Sequence, residues 1–250
     1  MPNVKESNIR FNHQIALPVE KDFSSTLSIK EVFYTLQGEG PFSGQPALFV
    51  RLAGCSLTCK MCDTDYSSNW TLTVEDLLQV VHDTLNKEYN KKVSLCVVTG
   101  GEPFRQNRLP GLLEGLLRIF NIVQVETSGS CWQPGVAPLK ALYPNRLIIV
   151  CSPKTPKLHP EIIPHIDVYK YVVRAAAMAE DGLPSEEPQF HTAKPVARPH
   201  NPHIPVYIAP WDEHDCGNSF TQANIQAAVQ SSLKHGYRLS LQVHKLVNLP

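Results

Sequence analysis

Three cysteines packed into eight residues constrain this chain more than any other feature. The segment from Gly54 to Tyr66 reads GCSLTCKMCDTDY and sets Cys55, Cys59 and Cys62 in the spacing C-x3-C-x2-C. Three thiolates on so short a loop can hold three corners of a cubane iron–sulfur cluster, leaving the fourth iron without a protein ligand. A small molecule with an amine and a carboxylate can chelate that iron. The alternative is a zinc ion completed by His82 or by a fourth cysteine, although structural zinc normally takes four ligands, usually from two paired knuckles. The remaining cysteines, Cys96, Cys131, Cys151 and Cys216, stand apart in or near apolar runs and read as small buried hydrophobes.

Composition sets the compartment. The chain of 250 residues balances 23 basic against 23 acidic side chains, which argues against an acidic solvating tail and against a protein held to nucleic acid by bulk charge. No apolar run reaches the ~18 residues that span a membrane. Met1 to Glu20 lacks the basic start and apolar stretch of a secretory leader. The expectation is a cytoplasmic protein with reduced thiols, no membrane association and no direct nucleic-acid partner.

Residues 1–28 read as a polar, loosely ordered extension. Beyond it, apolar runs alternate with helical patterns. Ala47–Leu52 reads as a strand. Thr73, with Asp76 three residues later, opens a helix whose Val74, Leu77, Leu78, Val81 and Leu85 make one apolar face. Val93–Val98 reads as β, and Leu109–Phe120 as a helix weakened by Gly111 and Gly115. Ile122–Val125, Leu147–Val150, Val168–Val173 and Val206–Ile208 are further strands, Ser219–Leu233 is a helix, and Tyr237–Val243 alternates like a strand. Such alternation implies parallel pairing with right-handed crossovers, and ligands gather at the carboxyl ends of parallel strands. Polar residues fall at those ends: Thr99-Gly100-Gly101-Glu102, Glu126-Thr127-Ser128-Gly129 and Ser152-Pro153-Lys154. Each alone is ordinary turn chemistry; on successive strands they favour a shared site. Residues 175–203, rich in proline and histidine, read as a surface insertion without metal-ligand spacing.

The cysteine spacing followed one strand later by Gly-Gly-Glu-Pro resembles the radical S-adenosylmethionine enzymes. The likeness is closer still to their 7-carboxy-7-deazaguanine synthase family. It is carried by Phe33-Tyr34-Thr35-Leu36-Gln37-Gly38-Glu39-Gly40, Phe49-Val50-Arg51-Leu52-Ala53-Gly54-Cys55, Cys62-Asp63-Thr64, Thr99 to Pro103, Glu126 to Gly129, Cys151 to Lys154, and a tail with His244-Lys245 ending at Pro250. It runs from about Ile29 to the C-terminus, outside the insertion.

The resemblance implies a single α/β domain over residues 1–250, built as an incomplete, TIM-like barrel of parallel strands with outer helices. It implies a ring contraction of 6-carboxy-5,6,7,8-tetrahydropterin to 7-carboxy-7-deazaguanine, with release of ammonia, on the way to 7-deazapurines such as queuosine. The implied cofactors are a 4Fe-4S cluster on Cys55, Cys59 and Cys62, S-adenosylmethionine, and Mg2+ at Thr64. S-adenosylmethionine would meet Met61, Asp63, Gly100, Gly101, Glu102 (an acceptor for its ammonium), Ser152, Pro153 and Lys154. The glycines would let backbone approach its methionine end. The pterin would meet Leu36, Gln37, Gly38, Arg51, Thr99 and the terminal carboxylate of Pro250, with the planar Arg51 fork on its carboxylate. Ordinary readings stand beside these: Arg51 as a salt-bridged strand-edge arginine, Gln37 to Gly40 as a glycine turn, His244 as a packed or surface histidine. The resemblance also implies a reducing partner of flavodoxin or ferredoxin type and a homodimer. The alternatives are a glycyl-radical-activating enzyme of the same superfamily and a non-catalytic zinc-binding module.

Overall fold

The computed structural model describes residues 12–21, 24–59, 62, 64–88, 93–186, 195–212 and 218–249. Its strands are β1 (Leu27–Leu36), β2 (Pro46–Leu52), β3 (Trp70–Leu72), β4 (Leu95–Gly100), β5 (Ile122–Thr127), β6 (Leu147–Cys151), β7 (Val168–Val173), β8 (Val206–Pro210) and β9 (Arg238–Leu239). The helices are α1 (Val74–Glu88), α2 (Leu109–Ile119), α3 (Val136–Leu142), α4 (Asn218–His235) and the one-turn α5 (Val243–Leu246).

The strands form one open sheet in the order β3-β1-β2-β4-β5-β6-β7-β8-β9. From β2 to β9 every neighbouring pair is parallel. With helices covering one face and the two edge strands unjoined, this is the partial TIM-like barrel that the resemblance implied, with the parallel pairing that the alternation implied. The first edge departs from it, because β1 runs antiparallel to both β2 and β3. Only residues 37–45 join β1 to β2, fewer than the dozen or so a parallel crossover needs.

Period-two alternation divides each strand between two environments. One phase, including Leu48, Val50, Leu52, Cys96, Val98, Val123, Val125, Ile149 and Tyr171, packs with the helices in the main core. The other phase faces the concave side, where Ala47, Phe49, Leu95 and Val97 make one small apolar cluster and Val150, Val168 and Tyr207 another. Cys96, Cys131 and Cys151 are buried, as their apolar surroundings suggested, and burial pushes all three thiols up. Cys216 lies outside the described residues.

Thr73 caps α1 as its spacing predicts: Asp76 N donates to Thr73 Oγ1 at 3.1 Å, and Thr73 Oγ1 donates to Asp76 Oδ2 at 2.8 Å. Gly115, a weak point by propensity, lets α1 approach closely: a Cβ there would lie 2.4 Å from Leu78 Cδ1, so the leucine would have to shift. Helix α3 has no counterpart in the sequence reading, where Gly135 and Pro138 obscure it. The last expected strand is shorter than its alternation suggested. Only Arg238 and Leu239 pair with β8; Ser240 Oγ then accepts from Gly40 N at 2.8 Å, and the chain turns into α5. Residues 12–21, inside the expected loose extension, are hydrogen-bonded along the cysteine loop, and Leu27 and Ser28 belong to β1. In the insertion, Arg198 pairs with Asp181 at 2.7 Å and Met178 bridges Pro184, while 187–194 lie outside the described residues.

Replacing the cap, Thr73→Ala, is expected to lower unfolding stability by about 1 kcal/mol with the urea m-value unchanged. Equilibrium urea unfolding followed by circular dichroism checks this.

Candidate active site

The cysteine loop leaves the carboxyl end of β2. Gly54 turns the chain with φ +78°, and its N–H donates to Tyr66 O at 2.8 Å, closing the loop at its base. Cys62 N donates to Cys59 O at 3.2 Å. Cys55 and Cys59 are buried and Cys62 is half-buried, and all three line one cavity of about 470 Å3. That volume suits a small-molecule site. Burial pushes the Cys55 thiol up to about 12, and Glu102, Cys62 and Cys131 push it in the same direction. The Leu57 N–H beside its sulfur, at 3.5 Å, acts the other way. Three soft sulfur donors converging on one cavity fit an iron–sulfur cluster.

Gly100 and Gly101 fix this loop against the end of β4. A Cβ on Gly100 would sit 2.1 Å from Leu52 O, and one on Gly101 would sit 2.1 Å from Gly54 O and 2.8 Å from Cys55 Cβ. Glu102 N donates to Gly54 O at 3.0 Å. The close approach that demands glycine is thus made by the protein's own backbone, whereas the sequence reading assigned it to a cofactor.

Glu102 is placed differently from its expected role. It is fully buried and does not line the cavity. Its carboxylate accepts from Phe104 N (3.1 Å), Thr127 Oγ1 (2.7 Å), Ser128 N (2.9 Å) and Ser128 Oγ (2.5 Å). Burial pushes this carboxyl up while those bonds draw it down. It thereby ties the end of β4 to the end of β5, whose Thr127 and Ser128 do line the cavity.

Thr64, Thr99, Gly100, Gly101, Ser152 and Lys154 also line the cavity, and Lys154 Nζ donates to Ser152 Oγ at 3.1 Å. Pro153, between them, is buried and does not line it. Arg51 is ion-paired and also faces the cavity. Its Nε donates to Glu31 Oε1 at 2.7 Å and its guanidinium lies over the Phe33 ring. Met61, Asp63 and Pro250 lie outside the described residues.

Leu36, Gln37 and Gly38 line the cavity from the turn after β1. Much of the polarity of this turn serves its own geometry. Gln37 N donates to Gln45 O at 2.8 Å, Gln37 O accepts from Gly44 N at 2.7 Å, and Gly38 O accepts from Val243 N at 3.1 Å. The Gln37 side chain donates to Glu126 Oε1 at 3.0 Å. Gly38 is obligatory because a Cβ would fall 1.6 Å from His244 Nδ1; His244 is a packed histidine that also lines the cavity.

The sequence reading missed a buried charge network behind this turn. Lys170 Nζ donates to Glu39 Oε2 at 2.5 Å and lies 3.5 Å from Glu126 Oε2. Gln242 Nε2 donates to Glu39 Oε1 at 2.7 Å. Burial acts to push the Lys170 ammonium down, but Glu126 and Glu39 outweigh it and hold it well above the usual lysine range. The available signal was a single lysine in the otherwise apolar strand VYKYVV, where an unpaired charge is not tolerated. Tyr66, also missed, lines the cavity; burial pushes its phenol up.

No protein-family model matches the chain. Among curated proteins it is 42% identical over 235 residues to the 7-carboxy-7-deazaguanine synthase of Rhodospirillum rubrum, covering 90% of this chain and 93% of that protein. It is 30% identical over 245 residues to the 7-carboxy-7-deazaguanine synthase of Rickettsia prowazekii, covering 96% and 95%. Among solved structures, the crystal structure of QueE from Escherichia coli matches with a TM-score of 0.57 at 22% identity, over 87% of this chain and 94% of that one, a likeness of fold. With identity of this extent along nearly the whole length of its relatives, the chain belongs to the 7-carboxy-7-deazaguanine synthase family.

Proposed function

We propose that this chain contracts 6-carboxy-5,6,7,8-tetrahydropterin to 7-carboxy-7-deazaguanine, with release of ammonia, in 7-deazapurine (queuosine) biosynthesis, and that the reaction takes place in the cavity below the cysteine loop. The observation that carries this placement is that Cys55, Cys59 and Cys62 share one cavity with Arg51, Thr99, Ser152 and Lys154. When bound, a 4Fe-4S cluster with S-adenosylmethionine supplies a radical that takes and returns one hydrogen of the pterin. Substrate and product differ by one ammonia, so no external oxidant enters the balance.

The chain's own residues bind, orient and exclude water. Cys55, Cys59 and Cys62 hold the cluster as thiolates. Gly100, Gly101, Ser152 and Lys154 receive S-adenosylmethionine at the strand ends, where they line the cavity. Glu102 acts from behind the wall as a positioning residue, fixing Thr127 and Ser128. Arg51 presents its terminal nitrogens to the pterin carboxylate while Glu31 holds Nε. Thr99, Leu36, Gln37 and Gly38 meet the ring edge. The stacked Phe33 and Phe49 rings, with centroids 5.2 Å apart, make an apolar floor that keeps water from a reactive intermediate. Lys170 is a positioning residue that holds Glu39, and through it the turn carrying Gln37 and Gly38. Thr64, which lines the cavity, would offer a hard oxygen to a Mg2+ ion that keeps several of its waters. A flavodoxin- or ferredoxin-type protein delivers the reducing electron, and the enzyme works as a homodimer in the cytoplasm.

Anaerobic reconstitution is expected to give brown protein with about four irons per chain. Cys59→Ala is expected to lose that iron and Cys96→Ala to retain it; iron analysis beside the visible spectrum checks both. Equal loss in the two variants would contradict the ligand assignment.

Arg51→Lys is expected to raise KM for the carboxylated pterin by roughly 10-fold or more, with kcat changed less, since a charge-assisted hydrogen bond is worth about 1.5–3 kcal/mol. Steady-state kinetics of deazaguanine formation check it. Lys170→Met, which leaves two partly buried carboxylates facing each other, is expected to lower both thermal stability and substrate affinity. Lys170→Arg is expected to restore part of each.

A further inference from the structure

The chain before β1 is not accounted for by the cavity. Residues 12–20 run along the cysteine loop and bond to it at successive points. Leu17 N donates to Cys55 O at 2.7 Å, at the start of the loop. Asn12 Nδ2 donates to Cys59 O at 3.1 Å, at its middle. Gln14 Nε2 donates to Thr64 O at 3.1 Å, and Gln14 Oε1 accepts from Tyr66 N at 2.8 Å, at its end. The Gln14 amide thus meets the loop backbone as a neighbouring peptide group would, with one donor and one acceptor.

These two side chains are themselves held. Asn12 Oδ1 accepts from Gln14 N and from Gln14 Nε2, each at 3.0 Å, and Asn12 Nδ2 also donates to Tyr66 Oη at 3.0 Å. The far end is anchored on the buried Arg105. Glu20 N donates to Arg105 O at 2.9 Å, Arg105 Nη2 lies 3.1 Å from Glu20 Oε1, and Arg105 Nη1 donates to Pro18 O at 3.3 Å. Asn107 N donates to Glu20 Oε2 at 3.1 Å.

The described part of the cysteine loop, from Cys55 to Tyr66, contains no helix or strand. Its carbonyls at Cys55, Cys59 and Thr64 find partners in the strap. Ligands on an unsupported loop separate readily, and a polynuclear group is lost when one of them swings away. A bond to the carbonyl of Cys59 itself, with two more at the loop's exit, opposes that motion directly.

We propose that residues 12–20 are a strap built to retain the cluster, with Asn12 and Gln14 as its positioning residues. They hold the backbone of the ligand loop so that iron leaves slowly. The proposal rests on the reading of Cys55, Cys59 and Cys62 as cluster ligands.

The test uses the full chain, reconstituted anaerobically, and follows bleaching of the visible absorbance under excess iron chelator. The melting temperature of the metal-free chain is measured alongside. The double variant Asn12→Ala/Gln14→Ala is expected to bleach at least about tenfold faster than the parent, with the metal-free melting temperature unchanged. Gln14→Glu, which keeps the acceptor for Tyr66 N and loses the donor to Thr64 O, is expected to fall between them, and it remains readable if the double variant does not fold. His13→Ala, on an exposed strap residue, is expected to match the parent. Equal bleaching in the parent and the Asn12 and Gln14 variants would overturn the strap while leaving the ligand assignment intact. So would faster bleaching matched by an equal loss of metal-free stability, which would make the strap general support. A parent chain that takes up no iron would overturn the ligand reading, and the strap with it.

Discussion

The contact between the cysteine loop and the end of β4 is the constraint on which the site depends. Leu52 O and Gly54 O lie where side chains of Gly100 and Gly101 would begin, so two loops from adjacent parallel strands meet as bare backbone. Parallel neighbours β2 and β4 bring their carboxyl ends to the same side, and register pairs Leu52 with Gly100. The cysteines thereby inherit their position from a ladder of hydrogen bonds and not from a flexible connection. Glu102 extends the same logic to β5 through Thr127 and Ser128. Three strand ends are fixed relative to one another before any ligand enters, which is what preorganisation of a reactive site requires.

The concave side of the sheet solves a second problem. A barrel interior this open must present polar groups to a polar substrate without leaving buried charge unpaired. Lys170, Glu39 and Glu126 form a cluster drawn from β7, the turn after β1 and β5, with Gln242 and Gln37 satisfying further carboxylate oxygens. Such a cluster is weak as a source of stability and strong as a source of specificity, because breaking it strands a charge. It ties the antiparallel edge to the parallel core and to the C-terminal tail, where the sheet itself has no closing strand.

How much of this was legible depended on whether the signal was local. The cysteine spacing, the Thr73 cap and the apolar strands are written in short windows, and the structure bears out the α/β fold they implied. The β1–β2 hairpin was not read as antiparallel, because the decisive fact was the shortness of residues 37–45 and not any residue type. Gly100 and Gly101 were recognised as a close approach, but which atoms approach is a tertiary fact. Glu102 illustrates the same limit. A carboxylate beside a cysteine motif looks like a ligand-facing acceptor, and only the positions of Thr127 and Ser128 reveal that its oxygens turn inward. Lys170 had a readable anomaly, a cation in an apolar strand, but its partners lie 131 and 44 residues away.

The N-terminal strap follows from the geometry of the loop it holds. A ligand loop in this fold hangs from the carboxyl end of one strand, and its far end must return to the sheet edge at β3. The β4 glycines secure its beginning, and the bond from Gly54 N to Tyr66 O joins beginning to end. Neither reaches the carbonyls of Cys59 and Thr64 between them. Cys59 O accepts from Cys62 N at 3.2 Å inside the loop, so only a contact from outside can tie these positions to the rest of the fold. Asn12 and Gln14 do so with side-chain amides, which imitate a strand without committing the loop to strand geometry. A true β-strand there would send alternate residues to opposite faces, and with the cysteines four and three positions apart Cys62 would point away from Cys55 and Cys59, so the three could not converge on one cavity.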